Sequence, residues 1–264
     1  MGDLRVCVSG ACGKMGSEVV RAIAKNDGVV LTAAVDFNNV GKSIGEIANT
    51  ADQVIIEKSL KDALVKGNVD VVVDFTNHSC IYENTKNVLE AGIPIVIGTT
   101  GFSKEQVEEI KEICQNKKIG ALWATNFAIG AILMMEFAGK AAKYFDDVEI
   151  IEYHHDNKLD APSGTSLTTA NIIKEVRKSK QQGHPEEKEL IPGARGADFD
   201  GFRIHSVRMP GFIAHQEVIF GSLGQILTIR HDSMNRESFM PGVILACKKI
   251  VLENKFIEGL DKLL

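Results

Sequence analysis

Through the first half of the chain, short apolar runs alternate with stretches in which apolar residues recur at helical spacing. Leu4-Arg5-Val6-Cys7-Val8-Ser9 reads as a buried strand, after which Met15, Val19, Ala22 and Ile23 share one helical face. Residues 29–35, 69–75, 94–97 and 119–123 predict further strands, with helices over residues 81–91 and 103–114. Such alternation buries a parallel sheet beneath helices on both of its faces. The expected class is α/β, with an N-terminal Rossmann-type, doubly wound parallel sheet.

The pattern changes after Asn126. A long apolar helix over residues 131–144 precedes a strand over 148–153, and Leu167, Ala170, Ile173 and Val176 mark one face of another helix. Residues 178–189 are polar and read as a surface loop. Three β-like runs then follow closely, at 203–208, 217–220 and 225–230. Short connections between them predict mainly antiparallel pairing, and hence a second, smaller α+β domain. A final helix over 238–252 fits either domain on its pattern alone.

Composition narrows the function classes. The 264 residues are 44% hydrophobic and 25% charged, as in globular proteins and unlike disordered ones. Thirty Lys and Arg against 35 Asp and Glu leave a net charge of −5, which argues against nucleic acid as a partner. No apolar run approaches the roughly 20 residues that span a bilayer, so no membrane partner is expected. Met1-Gly2-Asp3-Leu4-Arg5 lacks the pattern of a secretion signal. Five cysteines without a CxxC pair suit free thiols in a reducing compartment, which predicts a cytoplasmic protein.

The first candidate site is Gly10-Ala11-Cys12-Gly13-Lys14-Met15-Gly16, between the first strand and the first helix. Glycines there permit a tight turn, and the helix N-terminus presents amides to a pyrophosphate. Asp36 ends the second strand twenty residues after Gly16, where a carboxylate accepts hydrogen bonds from an adenosine ribose. The spacing is GxxGxxG rather than GxGxxG, so its context carries the assignment. Asp36 followed by Phe37, with no arginine, leans towards NADH over NADPH, although Lys14 and Lys42 supply positive charge nearby.

The second candidate site is the run from Glu149 to Thr165. His154 and His155 end a strand, Lys158 follows four residues after the first, and Pro162-Ser163-Gly164-Thr165 enters a helix. Imidazole exchanges protons near neutral pH, and a lysine donates a proton or holds an anion. The amides of Gly164 and Thr165 suit a carboxylate. The plainer alternative has the two histidines on opposite faces of a strand and Ser163 as a helix cap. Adjacent histidines without an HxxxH motif or a Cys/His quartet make a poor zinc site, so no metal is expected. Arg203, Arg208, Arg230 and Arg236 are read as surface ion-pair formers.

With these residues in place, the chain closely resembles the 4-hydroxy-tetrahydrodipicolinate reductase (dihydrodipicolinate reductase) family over almost its whole length. The resemblance rests on Val73-Asp74-Phe75-Thr76, Ile97-Gly98-Thr99-Thr100-Gly101-Phe102 and Ala124-Thr125-Asn126-Phe127. It also rests on the stretch Glu152 to Thr165, on His231-Asp232-Ser233 with Arg236, and on Phe239-Met240-Pro241-Gly242-Val243.

The resemblance implies reduction of 4-hydroxy-tetrahydrodipicolinate by NADH or NADPH, with loss of water, in lysine and diaminopimelate biosynthesis. It implies dinucleotide binding by the glycine loop and Asp36, with Gly98-Thr99-Thr100 and Ala124-Thr125-Asn126-Phe127 bordering the nicotinamide half. His154 takes the general acid/base position and Lys158 that of the proton donor, while His155, Gly164 and Thr165 hold a dicarboxylate. The resemblance also implies that residues 1–126 with 236–264 form the dinucleotide domain, and residues 127–235 a substrate-binding and oligomerisation domain that builds a homotetramer. The competing classes are an NAD-dependent semialdehyde or sugar-acid dehydrogenase and a non-enzymatic dinucleotide sensor.

Overall fold

The computed structural model describes residues 2–264. The chain begins with β1 (Leu4–Ser9), α1 (Lys14–Ala24), β2 (Val29–Val35), α2 (Ile44–Ala48), β3 (Ile56–Glu57) and α3 (Leu60–Gly67). It continues through β4 (Val71–Asp74), α4 (Ile81–Glu90), β5 (Ile95–Ile97), α5 (Lys104–Lys117) and β6 (Ala121–Trp123). Next come α6 (Ile129–Ala141), β7 (Asp147–His154), α7 (Gly164–Val176), β8 (Ala197–Phe199), β9 (Phe202–Arg208), β10 (Ala214–Ser222) and β11 (Gln225–Ser233). The last elements are α8 (Met240–Ile250) and β12 (Phe256–Glu258). Two compact units result: residues 1–128 with 236–264, and residues 129–235.

The first unit holds a seven-stranded sheet in the order β12-β6-β5-β4-β1-β2-β3, with every pair parallel. β4 and β5 are fully buried, and β1 is buried from Val6 onwards, as the continuous apolar runs require of a sheet covered on both faces. The helices begin where local chemistry allows. Ser103 and Gln106 form a reciprocal capping box at the start of α5, and Ser59 caps α3. Successive strands run outwards from β1 in one direction through β2 and in the other through β4. A crevice therefore opens beyond their carboxyl ends at this switch point.

The second unit is a five-stranded sheet, β11-β10-β7-β9-β8. Alternating residues of β7 are buried, so Val148, Ile150 and Glu152 face the core shared with Ala138, Ala170 and Ile173. The expected mainly antiparallel pairing holds for three of the four strand pairs. The exception is β9: β7 inserts between β9 and β10, and β9 pairs with it in parallel. The core face decides this arrangement, because Ile150 then lies opposite Ile204 on one side and Val218 on the other.

The short elements α2, β3, α3, β8 and β12 escape the sequence pattern because too few residues repeat in each. Pairing with β7 and β11 also extends β10 well beyond the predicted 217–220. Ile150 is completely buried, and neighbours on both sides hold it. Ile150→Ala should therefore leave a cavity in the second unit and destabilise it by about 2–4 kcal/mol, measured by urea unfolding followed by circular dichroism.

Candidate active site

In the first unit, Gly10 leaves β1 at φ +78°, and a Cβ there would meet the Phe75 carbonyl oxygen at 2.7 Å. A Cβ on Gly16 would lie 2.0 Å from the carbonyl oxygen of Gly10. These two glycines let the loop fold onto itself and onto the turn after β4. The amides of Gly10 and Ala11 both donate to the Val35 carbonyl, at 2.9 and 3.1 Å. Gly13, at the N-cap of α1, supplies no side-chain bond, which leaves the first amides of that helix for an anion.

A cavity of about 240 Å³ adjoins this loop, with Gly10, Gly13, Asp36, Lys58, Thr76 and Asn84 in its wall. Asp36 is partly committed to the fold: one carboxylate oxygen accepts from the Cys12 amide at 2.9 Å, the other from the Asn38 amide at 2.8 Å. The remaining acceptor capacity suits ribose hydroxyls. Phe37 is 71% exposed. Lys58 is the one cation in the cavity wall, and it makes no hydrogen bond or ion pair among the described residues. Strand pairing brings it to the same cavity wall as Asp36, since Val35 lies opposite Glu57 and the Asp36 amide donates to the Glu57 carbonyl.

The other predicted dinucleotide residues occupy the same carboxyl edge of the sheet or the loops beside it. Ala11 is buried, Cys12 and Met15 are half-buried, and Lys14 is exposed. Burial and the charge of Asp36 push the Cys12 thiol up, away from a reactive thiolate. Thr99 is buried and accepts from the Trp123 indole through its carbonyl at 3.0 Å, whereas Thr100 and Thr125 are exposed. Asn126 caps the Ala128 amide. Ala124 and Phe127 are buried, and Phe127 meets Phe75 edge-on with ring centroids 5.7 Å apart. Gly98 donates its amide to the Asp74 carbonyl at 3.0 Å.

Asp74 itself is fully buried, and its carboxylate accepts from the Thr76 amide, the Thr76 hydroxyl and the Asn84 side chain. Burial pushes its carboxyl up in spite of these bonds. Glycine loop, open helix terminus, ribose-side carboxylate and cavity together fit a dinucleotide.

In the second unit, β7 delivers Glu152 and His154 to one face, and α7 begins beside them. Glu152 has no exposed surface. Its oxygens meet His154 Nδ1 at 2.5 Å, both terminal nitrogens of Arg208 at 2.7 and 2.8 Å, and the Ser163 amide at 3.2 Å. Burial disfavours its charge, but hydrogen bonds from His154, Arg208 and Ser206 outweigh that and hold the carboxyl at about 2.

Beneath the start of α7, Ser163 caps Ser166, Ser166 donates to Gln216, and Gln216 donates to Thr169. This fully bonded network seats the helix on the sheet. His155 lies past the strand end and is exposed. Lys158 is paired with both oxygens of Asp160 at 2.7 and 2.9 Å. Gly164 is exposed, and a Cβ there would meet nothing within 4 Å. The arrangement places a proton-exchanging ring, an ammonium group and open helix amides on one short stretch, a set suited to protonating an anionic substrate. Among the described residues, no group of three His, Cys, Asp or Glu side chains converges to hold a metal ion.

The sequence pattern of the N-terminus of dihydrodipicolinate reductase matches residues 4–127, and that of its C-terminus matches residues 130–264. The chain belongs to the dihydrodipicolinate reductase family. A 4-hydroxy-tetrahydrodipicolinate reductase from Desulfitobacterium hafniense is 53% identical, with 100% of both chains covered. One from Lysinibacillus sphaericus is 50% identical, covering 99% of this chain and 100% of the relative. The dipicolinate-bound dihydrodipicolinate reductase from Paenisporosarcina sp. TG-14 superposes with a TM-score of 0.91 at 46% identity, covering 99% and 100%. A family of reductases separates the chain from the semialdehyde and sugar-acid dehydrogenases and from a non-enzymatic sensor. The family's C-terminal pattern includes residues 236–264, yet these residues pack with the first unit.

Several groups escaped the sequence reading. Glu152 stands two residues before His154, and the two-residue period of a strand places both on one face. That signal was present and unused. Arg208, read as a surface ion-pair former, is instead the main partner of the buried Glu152. Lys58 and Gln216 carry no signal of their own, because only pairing between strands brings them to their sites.

The depressed pKa of Glu152 has a defined sign. Its contribution to stability is complete above about pH 4.5, the ordinary value, and is lost as pH falls towards 2. Acid unfolding of the second unit should show this as a loss of the order of 3 kcal/mol across that window. Glu152→Gln should flatten that part of the curve, measured by urea unfolding at successive pH values.

Proposed function

We propose that this chain reduces 4-hydroxy-tetrahydrodipicolinate to tetrahydrodipicolinate, in the route to diaminopimelate and lysine. Overall, the substrate gains a hydride and a proton and loses water, while NADH or NADPH becomes its oxidised form. Membership of the family, through relatives of about 50% identity over full length, carries this reading. Glycine loop and proton-transfer cluster give it physical content.

In this reading, Gly10-Ala11-Cys12-Gly13-Lys14-Met15-Gly16 and Asp36 hold the dinucleotide, with Gly98-Thr99-Thr100 and Ala124-Thr125-Asn126-Phe127 on the nicotinamide side. A reduced nicotinamide held there supplies the hydride, to C4 of a conjugated cyclic imine. The amides of Gly164 and Thr165, with His155, bind the substrate carboxylates. Lys158 offsets their charge and donates a proton, for which it must exchange Asp160 for the substrate. His154 acts as general acid/base, and the proton is added at C3.

The residues lean towards NADH, because Asp36 keeps acceptor capacity for ribose hydroxyls and Phe37 brings no cation. Lys58 is the group that admits NADPH. We place the protein in the cytoplasm as a homotetramer built through the second sheet. Its edge strand β11 is nine residues long, and Leu223 and Ile226 stand exposed at that end. Light scattering should return four times the chain mass.

Turnover of NADH with enzymatically generated 4-hydroxy-tetrahydrodipicolinate tests the function, and absence of turnover with either nucleotide would refute it. Lys58→Ala should weaken NADPH binding about tenfold, or ~1.4 kcal/mol, and leave NADH nearly unchanged, by fluorescence titration. Gly164→Val should fold normally, since its Cβ meets open space. It should raise KM for the dicarboxylate at least about tenfold by blocking the helix amides, with the dinucleotide Kd unchanged.

A further inference from the structure

The carboxylate of Glu152 has no exposed surface, and its partners come from three separate elements. On β7 it meets His154 Nδ1 at 2.5 Å. From β9, Arg208 donates through two nitrogens. From the turn that opens α7, the Ser163 amide donates at 3.2 Å. Arg208 also donates to the Asp160 carbonyl at 2.8 Å, so the turn carrying Lys158 and Asp160 is tied to the same carboxylate. On β10, the neighbouring group is the neutral Gln216, which bonds to Ser166 and Thr169.

An ionised carboxylate accepts hydrogen bonds and cannot donate them. The proton in the bond to His154 therefore resides on Nδ1. That leaves Nε2, which has no partner among the described residues, as the nitrogen that gains and loses a proton.

We propose that Glu152 is a positioning residue of the reaction: it fixes the Nδ1–H tautomer of His154 and locks that ring to the turn that presents the substrate-binding amides of Gly164 and Thr165. This inference rests on the reading of His154 as general acid/base. One buried charge thus sets two distances at once, those of the proton-exchanging nitrogen and of the anion-binding helix terminus. A neutral amide at position 152 also donates hydrogen bonds, so it permits the opposite tautomer and leaves Arg208 without a counter-charge.

The test begins with the ligand-free, full-length wild-type chain labelled with ¹⁵N. Long-range ¹H–¹⁵N spectra above the titration of the imidazole should show His154 Nδ1 protonated and Nε2 bare. Glu152→Gln should lose that single tautomer. Its kcat should fall by about 10²–10⁴-fold, as when the orienting carboxylate of a catalytic histidine is neutralised. The Kd for the dinucleotide, measured by fluorescence titration, should remain unchanged.

A wild-type spectrum with Nδ1 bare would overturn the proposal, and it decides the matter even if Glu152→Gln fails to fold. A folded Glu152→Gln with wild-type kcat would overturn it equally. His154→Gln separates the two layers. Normal turnover by that folded variant defeats the role of His154, whereas its loss beside an active Glu152→Gln defeats only the role of Glu152.

Discussion

A carboxylate removed from water must find compensation in hydrogen bonds and opposite charge, and the second unit is organised around that requirement at Glu152. Desolvation alone would drive its proton back on. The carboxyl is nevertheless held at about 2, because His154, Arg208 and Ser206 all bond to its charged form. These partners lie on different strands, and the Ser163 amide adds the start of α7. Satisfying one charge therefore fixes the relative positions of β7, β9 and α7. Removing any partner would leave the others with an uncompensated group in the interior.

A related economy operates at the carboxyl edge of the first sheet. Asp74 is buried at the end of β4 and uses its oxygens to shape the following turn through Thr76 and Asn84. Gly10 and Gly16 allow that turn and the loop after β1 to approach within the reach of backbone atoms. Asp36 then links this loop to the segment after β2 through the amides of Cys12 and Asn38. The cavity wall is consequently built from backbone amides already oriented by the fold. Binding an anion there needs little reorganisation.

Much of this was legible in the chain. Alternating strands and helices announced the parallel sheet, since a strand buried on both faces must be apolar throughout. The glycine loop, Asp36 and the His154–Lys158 stretch stood out because each is local: their members lie within a few residues of one another or follow a fixed strand–turn–helix spacing. Burial beside Asp36 pushes the thiol of Cys12 in that loop up, which disfavours a reactive thiolate there.

What the amino-acid order determined by itself was the set of elements with long, regular periodicity and the chemistry carried on contiguous segments. Tertiary structure alone decided the insertion of β7 between β9 and β10 and the conversion of Arg208 into the partner of Glu152. Lys58 came to the cavity the same way, through the pairing of β2 with a strand of only two residues. The physical reason is common to all three. Local pattern records which face of an element is apolar, whereas partners 22 to 74 residues apart are selected by the burial and register that the whole sheet achieves at once.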